Sequence, residues 1–432
     1  MRIHIMGAGT VGCLIASHLR RTLPKHSPVT LLHKTAKHAI EAQQTGNGLI
    51  TLENQGVPLK AYGFEHDVWD EATSPEDLNP SMRQKPSRQE EELGLYRDPD
   101  APPRTADRAI QSLIVATKAY SVTDSLRHLL PRISAASTIV LLQNGMGLYE
   151  ELCSQVFPNP LNRPHFILGV NNHGTWAKKY MHVVHAGIGN MKLGIMPDGL
   201  NRNFERSYRE ATDPKNARLN LDDIFTSVSE DVEGPRYYSL RFTMQALLAA
   251  EGLYASWIPV YDLHLAQLRK LVVNSVINPL TALLACPNGD IFKHKAGRSI
   301  AGKVCREASD AIHAQWMAER KAAGRTDKVP FPPSLRHTAL FNEAERISRM
   351  TSKNYSSMLT DVRKSHPTEI RYLNGYLVAL GRRYNVPMPT NEMLLSLMRL
   401  RSHPPDHPLA WSTLEKLFSL AETPQNRSNH TK

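Results

Sequence analysis

Lys270, Asn274 and Asn278 stand at i, i+4 and i+8 within the largely apolar run 268–285. That spacing places all three on one face of a helix. Their neighbours Leu271, Val272, Val273, Val276 and Ile277 are apolar, so a polar stripe crosses an otherwise buried element. Burying polar groups without partners is costly, so the stripe either meets other protein groups or lines a ligand cleft. A lysine in such a place can protonate a developing alkoxide, and asparagines can hold a hydroxyl or a carbonyl. The Asn278-Pro279 step is expected to kink the helix and free backbone groups nearby.

A second constellation opens the chain. Gly7-Ala8-Gly9-Thr10-Val11-Gly12 fits the pattern G-x-G-x-x-G. The first glycine permits a tight turn, the second lets backbone approach a pyrophosphate, and the third lets helix and strand pack closely. Such a motif needs a strand before it and a helix after it. Residues 2–6 read as that strand, 11–23 as the helix, and 29–32 as a second strand. The context predicts a dinucleotide site, the alternative being a purely structural glycine turn. An acidic residue at the end of the second strand would hold the ribose 2′-hydroxyl of NAD. This chain instead has His33-Lys34-Thr35-Ala36-Lys37. Cations there suit a 2′-phosphate, which points to NADPH/NADP+. The competing reading makes Lys34 and Lys37 solvent-facing helix residues.

The elements that must position these groups follow from periodicity. The βαβ opening implies a parallel sheet. Residues 109–117 and 138–142 repeat the pattern of a buried strand ending in polar residues, and 166–170, 183–184 and 191–195 read as later strands. From Tyr238 onward the pattern is helical. Two stretches, 62–108 and 197–235, are poor in apolar periodicity and read as flexible insertions, the first with at most a short helix. After His403 only 409–420 has a helical pattern. The expected fold is an α/β Rossmann-type N-terminal domain over 1–262, an all-α C-terminal domain over 263–424, and a tail over 425–432.

Bulk properties narrow the function classes. A chain of 432 residues can bury two cores, and 41% hydrophobic with 22% charged residues is globular in kind. The net charge of +11 is scattered, with no run of five or more cations and no aromatic stacking module. It reads as solvated surface that favours anionic small molecules, with no nucleic acid and no membrane expected. The four cysteines show no C-x-x-C spacing, so no metal site is expected. Sparse cysteines and the lack of an apolar span or a leader ahead of the first strand make the cytoplasm the expected location.

The segment from Lys270 to Ala282 (KLVVNSVINPLTA) resembles the catalytic helix of the ketopantoate reductase family. Residues 356–363 (SSMLTDVR), followed by Pro367-Thr-Glu-Ile370 and Asn374-Gly375, are similar to that family's second C-terminal signature. Thr117-Lys118-Ala119-Tyr120 and Gln143-Asn-Gly-Met-Gly147 resemble its two N-terminal-domain loops. With the glycine loop, these blocks occur in the family's order from residue 3 to about 390.

The resemblance implies a Rossmann domain and a helical domain with the active site in the cleft between them. It implies that Lys270 protonates the carbonyl oxygen as hydride arrives from the nicotinamide, and that Glu369 orients Lys270. Asn274 and Asn278 would hold the substrate's hydroxyl side, and Ser357 its carboxylate. Asn144 would reach both cofactor and substrate, Lys118 would lie along the cofactor, and Asp361 would be structural. Each has a plainer reading: a helix cap for Ser356-Ser357, a surface charge for Glu369, a turn for 143–145, and solvent exposure for Lys118.

The implied reaction is NADPH-dependent reduction of ketopantoate to (R)-pantoate, on the way to pantothenate and coenzyme A. A 2-oxo acid substrate suits a serine donor and positive potential. The chain is longer than compact family members, and an aromatic residue common before the catalytic lysine is absent, with Leu268-Arg269 in its place. Two alternatives therefore stand beside the first: a reductase of another 2-oxo acid, and a non-catalytic NADP(H)-binding regulatory relative. A homodimer is the assembly to look for.

Overall fold

In the computed structural model the residues described are 1–44, 48–69, 109–213, 217–225, 234–325 and 329–402. The chain divides into two compact units, Met1–Leu271 and Val272–Lys432. The division falls inside one helix, whereas 262/263 lies near that helix's start.

The first unit begins with β1 (Ile3–Met6), buried throughout. Helix α1 (Thr10–Thr22) follows with Leu14, Ile15 and Leu19 at no measurable exposure, the periodicity that the sequence displayed. Strand β2 (Val29–His33) and helix α2 (Ala36–Gln44) complete the opening. Next come β3 (Ile50–Asn54), β4 (Val57–Ala61) and β5 (Phe64–Val68). From residue 109 onward run β6 (Ser112–Val115), α3 (Ala119–Leu129), β7 (Thr138–Leu141), α4 (Leu148–Gln155) and β8 (His165–Asn171). Strands β9 (Gly174–Lys179), β10 (His182–Gly187), β11 (Met191–Ile195) and β12 (Ala255–Trp257) follow, with α5 (Arg206–Arg209) and α6 (Tyr238–Ala249) before β12.

These strands form two sheets. The larger has the order β12-β11-β8-β7-β6-β1-β2-β5, and the smaller β4-β3-β10-β9. From β5 to β8 the larger sheet is parallel, while β11 runs antiparallel to β8. The chain steps outward from β1 through β2 to β5, then returns to β6 on the other side of β1. The carboxyl ends of β1 and β6 therefore form a topological switch point, where ligands of open α/β sheets bind.

Two sequence expectations need correction. The segment 62–108 opens not as an insertion but on β5, which pairs with β2 over Val29–His33. Its alternation was masked by charge: Asp67 takes an ion pair from the buried Arg132 at 2.6 Å. The rest of that segment lies outside the described residues. The stretch 197–235, where described, is packed and bonded rather than loose. Phe204 and Ile224 are buried, Tyr237 donates to Asp198 at 2.6 Å, and Ser207 donates to Asp223 at 2.9 Å. Polar side chains holding backbone turns leave no hydrophobic period to read.

Helix α7 (Val260–Leu284) crosses the division between the units. It runs on through Pro279 as one helix. Proline cannot donate to the carbonyl four residues earlier, here that of Ser275. Asn374 Nδ2 donates to that carbonyl at 3.1 Å, supplying the bond the helix lacks.

The rest of the second unit is helical: α8 (Lys295–Ala322), α9 (His337–Met350), α10 (Ser357–Arg363), α11 (Asn374–Arg383) and α12 (Pro389–Ser402). Its core comes from positions three or four apart: Ala301, Val304, Cys305, Ala308 and Ile312 on α8, Leu377 and Leu380 on α11, and Leu394 and Met398 on α12. Among the described residues no helix is long and apolar enough to cross a membrane.

Candidate active site

The glycine loop sits at the end of β1. Gly7 has φ of +105°, a conformation that favours glycine, and a Cβ there would lie 2.9 Å from the Thr117 backbone nitrogen. A Cβ on Gly12 would lie 1.8 Å from the Gly7 carbonyl oxygen, so this place in the first turn of α1 admits only glycine. Gly9 differs: a Cβ there would meet nothing within 4 Å. Helix α1 starts immediately after it with no side-chain cap, leaving first-turn N–H groups for an anion. The buried Cys13 thiol donates to the Ala8 carbonyl at 3.3 Å, and burial pushes its pKa up to about 12. Ala8, Thr10 and Val11 complete the loop and the first turn.

The β6 exit lies against this loop, with Ala116 N donating to Met6 O at 2.9 Å. Lys118 is half-buried and stands as the N-cap residue of α3. Gln143, leaving β7, donates from Nε2 to Val115 O at 2.8 Å and Thr117 O at 3.1 Å. It thereby ties two strand exits together and sets the position of Asn144. The Gln143 Oε1 and Thr117 hydroxyl are buried without a hydrogen-bond partner among the described residues. An open Gly9, an uncapped helix start and two unsatisfied polar atoms fit a dinucleotide phosphate group at this switch point.

At the end of β2 the expectation needs amendment. Lys34 and Lys37 are exposed and have no side-chain partner among the described residues. His33 is buried and shares its Nε2 with His66 Nδ1 at 3.0 Å. Burial, with His66 beside it, lowers its pKa to about 3. His33 is therefore neutral near pH 7 and turned toward β5, so it supplies no charge to a 2′-phosphate.

Asn144 is half-buried and lines a small cleft of about 70 Å³ within the first unit. Met146, Leu148, Leu168 and Met196 form apolar wall, while His264 and Gln267 enter from α7. The start of α7 is fixed by Glu205, whose Oε1 accepts from Val260 N at 2.7 Å. Close packing of Leu263 on Gly194 also holds it, because a Cβ on Gly194 would lie 2.8 Å from Leu263 Cδ2. Lys270 lies one turn beyond Gln267. Its Nζ donates to the Asn171 carbonyl at the carboxyl end of β8, at 2.5 Å.

His264 and Gln267 escaped the sequence reading, although 264, 267, 270, 274 and 278 continue one polar stripe at helical spacing. The helix expected over 268–285 starts too late to include them; it begins at Val260.

The remaining site residues belong to the second unit. Asn274 is half-buried and Asn278 is 9% exposed, both on α7. Ser356 is the N-cap of α10, accepting from Leu359 N at 3.1 Å and from the Thr281 hydroxyl at 2.7 Å. Ser357 is the exposed first residue of that helix. Of the serine pair, then, the first is structural and the second is available to a ligand. Glu369 and Asp361 are both buried and both engaged.

A parallel sheet with a glycine loop at its switch point, followed by a helical unit, defines a two-domain protein of the dinucleotide-binding class. Residues 3–198 match the family described as "Ketopantoate reductase PanE/ApbA", and residues 262–402 match its C-terminal part. The chain belongs to the ketopantoate reductase family.

A probable 2-dehydropantoate 2-reductase of Schizosaccharomyces pombe is 25% identical over 399 residues, covering 92% of this chain and 96% of the relative. The 2-dehydropantoate 2-reductase of Salmonella typhimurium is 29% identical over 287 residues, 66% of this chain and 73% of the relative. Among solved structures, a ketopantoate reductase from Ralstonia eutropha superposes with a TM-score of 0.59 at 18% identity, covering 93% of this chain and 98% of that one. A D-mandelate dehydrogenase gives a TM-score of 0.61 at 17% identity, with 93% and 98% covered.

Proposed function

We propose that this chain is an oxidoreductase that uses NADPH to reduce the ketone of a small 2-oxo acid, with ketopantoate as substrate and (R)-pantoate as product. One observation carries the reading. The Lys270 ammonium stands at the carboxyl edge of the sheet, the same edge that holds the glycine loop and Asn144. The family and the named relatives support the reaction class, and the exposed Lys34 and Lys37 support a 2′-phosphate. Gly7–Gly12 and Lys118 would hold the cofactor, which when bound supplies the hydride.

The protein's part is electrostatic and protonic. Negative charge develops on the carbonyl oxygen as its carbon is reduced, and an ammonium stabilises it before donating a proton from Nζ. Each turnover consumes one proton from solvent, which restores the ammonium. The Asn171 carbonyl holds Nζ at the carboxyl end of β8. Asn274 and Asn278 are assigned to the substrate hydroxyl, Ser357 to its carboxylate, and Glu369 to orienting Lys270.

A different 2-oxo acid is the second reading. The apolar wall of Met146, Leu148, Leu168 and Met196 places few polar demands on the substrate's tail. The D-mandelate dehydrogenase of this fold was solved with NADH and anilino(oxo)acetate. One ketopantoate reductase of this fold, from Staphylococcus aureus, is dimeric, and we propose a homodimer here too.

NADPH oxidation, followed at the nicotinamide absorbance with ketopantoate and then a panel of 2-oxo acids, tests the function. Preference for ketopantoate supports the first reading, and preference for another acid the second. Cofactor binding without turnover on any would establish a binding protein instead.

A further inference from the structure

The second unit holds a cationic groove that the reductase reading does not use. It has a volume of about 390 Å³ and lies between α8 and α9. Arg298, Lys303 and Arg306 line it from α8, and His337 stands at the first turn of α9. No carboxylate lines it. Arg298 is already fixed, paired with Glu345 and with its guanidinium 5.3 Å from the centre of the Phe341 ring. Lys303 and Arg306 have no hydrogen-bond or ion-pair partner among the described residues. Lys303 and Arg306 are exposed like charges three positions apart, a mild repulsion that a bound anion would relieve.

Gly302 adds an independent observation. Glycine inside a helix is destabilising relative to alanine, and Gly302 lies well within α8. Packing does not demand it: a Cβ there would meet only Phe341 Cδ2, at 4.0 Å. Its effect is to keep the groove floor low between Arg298 and Arg306, beside an aromatic ring. Helix α9 also begins without a side-chain cap, which leaves N–H donors near His337.

We propose that this groove binds a phosphate-bearing small molecule. Arg306 and Lys303 take the phosphate oxygens, and the planar part of the ligand lies over Gly302 against Phe341. Arginine suits phosphate through paired N–H donors and lysine through point charge. None of its residues is assigned to the reductase site, so it stands or falls independently of that reading.

The test is lysine acylation of the full-length protein, with modification at Lys303 read by mass spectrometry. Pyrophosphate and adenosine 5′-phosphate are compared with chloride at matched ionic strength. Both phosphates should slow Lys303 labelling several-fold beyond chloride. Arg306→Gln should raise the concentration needed by about tenfold, as loss of a charge-assisted hydrogen bond requires. Gly302→Met should leave thermal stability intact and abolish protection by adenosine 5′-phosphate. Protection no greater than chloride gives would overturn the proposal. So would protection unchanged in both variants.

Discussion

Replacing Asn374 by alanine should destabilise the second unit, and removing Pro279 should restore part of the loss. Asn374 has no measurable exposure, and its Nδ2 bonds Ser275 O at 3.1 Å and Asn391 Oδ1 at 3.0 Å. Truncation leaves both acceptors without that donor where water does not reach. Each such loss costs about 1–3 kcal/mol. The Asn374 Oδ1 has no partner among the described residues, so deleting it recovers part of the cost. The expected net is about 2–4 kcal/mol. Pro279→Ala returns an N–H to helix position 279, aimed at the same Ser275 carbonyl. In the Asn374→Ala background it should therefore recover about 1–2 kcal/mol more than it yields in the wild type. Urea denaturation followed by far-ultraviolet circular dichroism on the four proteins gives the cycle. Effects that add to within about 0.5 kcal/mol would refute the idea that the asparagine replaces the bond the proline removes.

Other outcomes follow from the same geometry. Gly9→Val should fold normally yet lose NADPH binding in a fluorescence titration, since its side chain enters only the space a phosphate would use. Gly12→Ala forces a Cβ onto the Gly7 carbonyl and should lower stability by about 1–3 kcal/mol or more, read as a fall in melting temperature. Lys34→Ala with Lys37→Ala should raise the Kd for NADPH about tenfold with little change for NADH; equal effects on both would remove the case for a 2′-phosphate site. Burial lowers the pKa of His4, His18 and His165 to about 4, against 6.5 in the unfolded chain. Between those values the unfolded state binds more protons, so stability rises with pH in that window. Denaturation midpoints should fall steadily on acidification from pH 6.5 toward 4, and a flat profile would contradict the buried neutral state.

The parallel sheet was legible because β1, β6, β7 and β8 are continuous buried runs between glycine and polar residues, and the glycine loop announced its own context. The smaller sheet was not. The β3–β4 hairpin turns at Gln55 and Gly56, both at positive φ, and Leu52 is buried. Its partner β4, however, carries exposed Val57 and Pro58, so the period-two signal fades along it. Charge hid β5, and capping chemistry hid the packed parts of 197–235. In the site, spacing alone exposed the stripe of Lys270, Asn274 and Asn278. Which serine of 356–357 caps the helix depended on backbone entry angle, and whether His33 carries charge depended on its burial against His66. Neither property is local in sequence.

The most direct measurement of the central claim is turnover of Lys270→Ala beside its affinity for NADPH. Loss of a general acid should lower kcat by about 10²–10⁴-fold while the cofactor Kd stays within a few-fold of the wild type. A variant that oxidises NADPH with its preferred 2-oxo acid at nearly the wild-type rate would contradict the role assigned to that ammonium.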